Sequence, residues 1–180
     1  YPKIWSLGSP ELQNLFSSPV EVTEKIDGSM IRFARIDGEV IVGSKGISDL
    51  IQRPNKMFDN AVKYLLSQKR SMRDNTVYYG EYLDKPKHNT LNYEKTPKNH
   101  VALFGVKELT GDGTWKWVKS HGLLQFHAQT INVDVVPLLY SGVMEDQKRL
   151  ESLLEKLSYL GKEKIEGVVI KNYREHSTSR

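Results

Sequence analysis

Glu24-Lys25-Ile26-Asp27-Gly28-Ser29 follows directly on the β-branched run that begins at Val20. It sets a lysine two residues before an acid and a glycine. A lysine amine attacks an electrophile only when neutral, a form favoured by a neighbouring cation or by partial desolvation. Asp27 is placed to hydrogen-bond that amine and hold its direction, although its charge favours the protonated form. Gly28 permits close approach of backbone to a ligand. Lys-x-Asp-Gly also describes an ordinary surface turn, so the stretch takes its weight from the rest of the chain.

Outward from it, Val20 to Ile26 reads as a strand. Ser29 to Ile36 and Glu39 to Gly43 read as a hairpin closed by Asp37-Gly38, a pair suited to a type I′ turn. Met57, Ala61, Tyr64 and Leu65 recur at helical spacing and predict a helix over 56–69. Thr76 to Leu83 is a strand that carries Glu81. Residues 101–108 and 114–118 form a second hairpin around Gly111-Asp112-Gly113, and Ser120 caps a helix to about residue 130. Val133 to Leu139 is strand-like. Glu145 to Leu160 reads as a helix with Leu150, Leu153, Leu154 and Leu157 in one stripe, stopped by Gly161. Ile165 to Ile170 reads as a buried strand. Strands outnumber helices and pair mainly through hairpins, which implies an α+β fold of antiparallel sheets flanked by helices.

The 180 residues suit one domain with a substantial core. No apolar run approaches the roughly 20 residues of a membrane span. No secretory leader pattern is seen, and there are no cysteines for disulfides or thiolate metal sites. A cytoplasmic monomer (in the host's cytoplasm if the protein is viral) that makes no membrane contact is the expectation. The formal charge of +4 mildly favours an anionic partner. No His-Glu-x-x-His stretch and no P-loop is present.

Four further segments follow in order: Ser44-Lys45-Gly46, Tyr79-Gly80-Glu81-Tyr82, Val101 to Val106 with Phe104 inside it, and Glu166-Gly167-Val168-Val169-Ile170-Lys171. With the Lys25 stretch they resemble motifs I, Ia, III, IIIa and IV of the covalent nucleotidyltransferases: DNA ligases, RNA ligases and mRNA capping enzymes. The set is most similar to ATP-dependent RNA ligases of the phage type 2 branch, and the resemblance runs from Glu21 to Lys171. It implies the adenylyltransferase (ATP-grasp-like ligase) fold over residues 1–180. It further implies ATP as cofactor, with AMP carried covalently on Lys25, and Mg²⁺ or Mn²⁺. The implied partner is nucleic acid, RNA above all, with 5′-phosphate and 3′-hydroxyl ends to be joined.

The resemblance also gives each residue an expected role beside its plain reading. Lys25 is the nucleophile, with Asp27 and Glu166 as catalytic partners. Glu81 contacts the ribose and, with Glu166, holds the metal; a solvated edge-strand glutamate is the plain reading. Phe104 stacks on the adenine, where an aromatic in an apolar strand is otherwise core. Val169 packs under the base, or is simply a core valine, and Ile26 belongs to the same nucleotide-binding set. Glu24 helps read the adenine amine. Lys45 and Lys171 are phosphate contacts, or solvated lysines. The stretch from Lys85 to His100 is a basic loop that either touches a nucleic-acid backbone or lies in solvent.

The departures are specific. Lys45 stands where many relatives carry Arg, Met30 where the type 2 branch often has Asn, and Asp27 where it often has His. A Lys-x-Lys pair that orients the triphosphate in the family does not follow Glu166; Lys162 and Lys164 have the spacing but precede it. A C-terminally truncated core is the expectation. Two other functions stay open at this point: a nucleic-acid-binding module that keeps the fold without full turnover, and a capping-type guanylyltransferase.

Overall fold

A computed structural model describes residues 6–10, 14–144 and 146–174, with Gln147 described by its backbone only. The expected start of the last helix at Glu145, and the tail from Glu175 on, lie outside the described residues. Nine strands and three α-helices follow one another in these residues. Strands β1 (Val20–Lys25), β2 (Ser29–Ile36) and β3 (Glu39–Ser44) open the chain. Asp37 and Gly38 between β2 and β3 have φ of 48° and 78°, the pair of positive values a type I′ turn requires. A 3₁₀ turn Lys56–Phe58 leads into α1 (Asp59–Ser67). Then come β4 (Thr76–Tyr82), β5 (Val101–Leu109), β6 (Trp115–Trp117) and α2 (His121–Thr130). The Ser120 hydroxyl accepts from the Leu123 amide at 3.2 Å and caps α2 as its sequence predicts. Strands β7 (Asp134–Val135) and β8 (Leu138–Gly142), helix α3 (Gln147–Leu154) and β9 (Gly167–Lys171) complete the fold.

The strands form two sheets. The larger runs β3-β2-β4-β5-β6, with β7 added in parallel beside β5; the smaller runs β8-β1-β9. Period-2 alternation decides the faces of the larger sheet. Phe33, Tyr78, Leu103 and Val106 pack under α1 and α2 through Ala61, Leu65, Leu124 and Ala128. In the smaller sheet Val20, Val22, Val168 and Ile170 pack with Leu150 and Leu153 of α3. A third cluster of Ile26, Leu83, Tyr93, Ala102, Val136 and Leu160 joins the two sheets, with Phe104 and Tyr159 against it.

Three expectations change. The single strand over 133–139 is two strands, because Pro137 has no amide to donate; β7 pairs in parallel with β5 and β8 antiparallel with β1. The last helix stops at Leu154 rather than Leu160. Beyond it the chain reverses: Ser158 donates its amide to the Glu163 carbonyl at 2.9 Å, and Gly161 and Lys162 take φ of 82° and 71°. This turn leaves Leu157 67% exposed and drives Leu160 into the cluster between the sheets. Burying Leu160 outweighs one more helical turn. The last strand spans 167–171 and is half-buried throughout, since only one of its faces meets α3.

Candidate active site

The β1–β9 ladder places the central residues. Lys25 stands opposite Gly167, Thr23 opposite Val169 and Glu21 opposite Lys171. Paired residues share a face, so Lys25, Val169 and Lys171 line the face turned away from α3. Glu166, one residue before β9, closes an ion pair with the Lys25 amine. Gly167 itself lies beside the Lys25 stem: a Cβ built there would be in ordinary contact with it, at 4.0 Å.

Glu81 arrives from the larger sheet, in β4 opposite Met30 of β2. Burial pushes its carboxyl up to about 7; Lys25 opposes the shift, while Glu166 and Asp27 add to it. Lys25, Glu81 and Glu166 are therefore one electrostatic cluster. Gly28 makes the contact of the two sheets feasible. A Cβ there would stand 2.7 Å from the Tyr82 carbonyl and 2.8 Å from the Glu81 side chain, a clash no residue but glycine avoids.

Phe104 shares the face of Ala102 and sits at a bulge. The β4–β5 register slips between Tyr79 and Gly80, so Leu103, Phe104 and Gly105 face two residues of β4. Leu103 and Val106 pack under the helices on either side of the slip, while Phe104 turns to the cluster between the sheets beside Ile26. Its carbonyl accepts a hydrogen bond from the Lys171 amine. Burial lowers that amine to about 8, with only Glu21 opposing. Lys171, on the strand face it shares with Lys25 and Val169, thus reaches to Phe104, which packs beside Ile26.

Asp27 does more than its place in the motif suggests. Its Oδ2 accepts from the Thr90 and Leu91 amides, both at 2.7 Å, and its own amide donates to the Tyr93 hydroxyl at 2.9 Å. Asn89 donates to the Gly28 carbonyl at 2.7 Å. His88 Nδ1 accepts from the Asp84 amide, so its Nε2 carries the proton and donates to the Ser29 hydroxyl. The basic loop is strapped to the Lys25 turn at its middle, while Lys85, Lys87, Lys95 and Lys98 stay exposed. Nothing local in the sequence announces this strap, because its partners in the Lys25 turn lie 59 or more residues away.

Glu24 is the outlier of the expected set. It pairs with Val168 and so falls on the α3 face, opposite to Lys25, where it is 2% exposed. One of its oxygens accepts from the Ser158 hydroxyl and the other from the Tyr159 amide at 3.3 Å. Burial raises its pKa against those hydrogen bonds. Lys45 is exposed just past Ser44, which pairs with Ile31, so it sits at the end of the sheet that carries Glu81.

Two carboxylates beside a lysine suit a hydrated Mg²⁺ or Mn²⁺, which keeps waters and takes few protein ligands. Among the described residues no group of three or more His, Asp or Glu side chains forms a closed metal cage. Among them, too, no helix is long and apolar enough to cross a membrane. A groove of about 400 Å³ lined by Lys98, Gln129, Asn132, Asp134 and Tyr159 shares no residue with the Lys25 cluster.

A family model for RNA ligase matches residues 18–180. The chain belongs to the RNA ligase family. Solved structures of that kind share its fold. A Lys-to-Ala variant of Naegleria gruberi RNA ligase with ATP and Mn aligns at a TM-score of 0.65 and 20% identity, over 95% of this chain and 54% of the other. A second such variant, also with ATP and Mn, gives 0.69 and 18% over 98% and 54%. An archaeal ATP-dependent RNA ligase gives 0.63 and 17% over 98% and 46%. This RNA ligase family chain thus spans about half the length of these relatives. No curated protein matches it by sequence. The α+β architecture expected from the motifs is the one observed.

Proposed function

We propose that this chain takes up AMP from ATP on Lys25 and serves the joining of RNA ends. The observation that carries the reading is the ion pair of Lys25 with Glu166, with Glu81 close enough to feel both charges. In the first step the Lys25 Nζ–Pα bond forms and the bond from Pα to the bridging oxygen breaks. Pyrophosphate leaves with that electron pair. The amine must shed a proton, and Glu166 is in contact to receive it. In the second step an oxygen of an RNA 5′-phosphate attacks Pα and the Nζ–Pα bond breaks. In the third a 3′-hydroxyl attacks the 5′-phosphorus and AMP departs. Covalent capture splits one hard joining into easier displacements.

A divalent cation held by Glu81 and Glu166 would neutralise triphosphate charge and stabilise the leaving pyrophosphate. Phe104 and Val169 would hold the adenine between them, and Lys171 supplies a desolvated cation beside Phe104. Glu24 would act on the base from beneath the strand, through the turn at Ser158 and Tyr159. The ATP and Mn held by the Naegleria relatives support this assignment.

The test is to mix the protein with Mg²⁺ and ATP labelled at the α-phosphate, denature it, and look for label on the polypeptide. Wild type should label and Lys25→Ala should not. Label retained by the variant, or an adduct mapped to another lysine, would sink the proposal. Labelling from GTP as readily as from ATP would move the reading to a capping-type guanylyltransferase.

A further inference from the structure

The face of the larger sheet that carries Glu81 continues beyond that residue. Along β4 the strict alternation sets Val77, Tyr79 and Glu81 on that face. Arg32 of β2 stands opposite Tyr79. On the other side of Tyr79 lies Gly105 of β5, which has no side chain; one pair along, Lys107 of β5 stands between Val77 of β4 and Trp117 of β6, so Trp117 is diagonal to Tyr79. The Tyr79 and Trp117 rings therefore meet across β5, with centroids 5.1 Å apart and planes inclined by 44°. Lys107, paired with Trp117, holds its amine 4.8 Å from the centre of the indole ring. Tyr79 also feels the Arg32 charge.

The local charge is positive. Glu108 is engaged by Arg73 at 2.9 Å, and Asp112 by Lys116 at 3.3 Å. Among the described residues no carboxylate pairs with Arg32 or Lys107. Two adjacent, partly exposed aromatics flanked by two such cations match what unpaired bases and their phosphates need: a stacking surface and a cationic track. A protein partner would more naturally find apolar side chains there than cations.

We infer that Arg32, Tyr79, Lys107 and Trp117 form a platform for single-stranded RNA, leading one strand end along the sheet toward Glu81 and Lys25. The platform rests on the proposed RNA end-joining and supplies its substrate grip. It lies on β2, β4, β5 and β6, apart from the residues that would hold the nucleotide.

The experiment titrates a fluorescein-labelled single-stranded oligouridylate into the full chain and reads anisotropy. A parallel assay measures Lys25 labelling from ATP. Trp117→Ala is expected to weaken RNA binding about tenfold and leave labelling unchanged, on the scale of one lost stacking contact. Trp117→Phe should keep most of the binding, which separates stacking from a packing defect. Lys107→Gln should lower the slope of log affinity against log salt by roughly one, as for one lost phosphate contact. Unchanged affinity in Trp117→Ala would overturn the platform, as would tighter binding of duplex than of single strand. No RNA binding by a wild type that still labels would assign the face to another occupant, such as further chain of a longer protein. Loss of labelling with RNA binding intact would overturn the catalytic proposal and leave the platform standing.

Discussion

Glu166 reaches the Lys25 amine because β9 runs antiparallel to β1 with Gly167 opposite Lys25. The pairing register, not the sequence separation of 141 residues, creates the contact. A one-residue slip would turn Lys25 to the α3 face and leave Glu166 without its partner. The same register puts Val169 and Lys171 on the Lys25 face, so a single strand pairing gathers three residues of the proposed site.

The first prediction tests the nucleophile against a mere ion-pair role. Lys25→Arg keeps a cation for Glu166 but offers no neutral amine, since guanidinium does not deprotonate. It should fold with wild-type stability, within about 0.5 kcal/mol as for an exposed substitution, and form no protein–AMP adduct. An adduct in the Arg variant would show that another residue carries AMP.

Glu81 sets a pH dependence. Its folded pKa of about 7 lies above the unfolded value of 4.5. The folded state therefore binds the extra proton, and stability declines as pH rises from 4.5 through 7. The decline is at most about 3 kcal/mol from this group. Glu81→Gln should flatten the profile over that window, and adenylylation should fall well over tenfold, about 1.4 kcal/mol of barrier per tenfold. A denaturant-stability series by pH checks the first point; an unchanged slope in the variant would remove Glu81 as its source. Added Mg²⁺ should stabilise wild type more than the variant, and EDTA should stop labelling.

Much of this site is legible in the linear sequence. Lys25, Glu81, Glu166, Val169 and Lys171 sit at strand ends or at alternating strand positions, where period 2 fixes the face. Phe104 shares the face of Ala102 by the same alternation, but the bulge between Gly80 and Gly105 shifts the faces beyond it, and only the pairing with β4 reveals that. Glu24 and Asp27 make contacts that the motif does not announce. Their hydrogen bonds go to the loop around Thr90 and the turn at Ser158, and long-range pairing of this kind leaves no local pattern. The shortened α3 has the same cause: the leucine stripe is a correct local signal overridden by the tertiary burial of Leu160. Pro137, by contrast, was a local signal for the split between β7 and β8.

Lys171 should show a trade of stability for function. Its folded pKa of about 8 lies below the unfolded 10.5, so the unfolded state holds the proton more tightly. Stability then rises as pH climbs from 8 to 10.5, and the full cost of the buried charge applies below 8. Lys171→Met removes that charge and keeps the aliphatic stem. It should stabilise the protein at pH 7 by up to about 3 kcal/mol, less whatever the lost bond to the Phe104 carbonyl contributes. Labelling by ATP should drop in the same variant. A Met variant that is both less stable and fully active would refute the assignment.

The last prediction concerns Asp27 and the strap. One carboxylate oxygen holds the Thr90 and Leu91 amides, and the loop they belong to also holds the Gly28 carbonyl and the Ser29 hydroxyl. Asp27→Ala takes away both acceptor contacts at once and leaves two amides to find water. Hydrogen exchange at Thr90 and Leu91 should quicken by at least tenfold, with little change in α1 or β4, whose bonds do not involve the loop. If Asp27 acts mainly by holding the turn, Asn89→Ala, which loosens the same strap without touching the carboxylate, should also lower labelling, though less. If Asp27 acts only on the Lys25 amine, Asn89→Ala should leave labelling alone while Asp27→Ala removes it. The strap account expects the graded result, because Gly28 has little room on its side-chain face: a Cβ there would stand 2.7 Å from the Tyr82 carbonyl and 2.8 Å from the Glu81 side chain. Exchange rates and labelling measured on the same two variants decide between these outcomes.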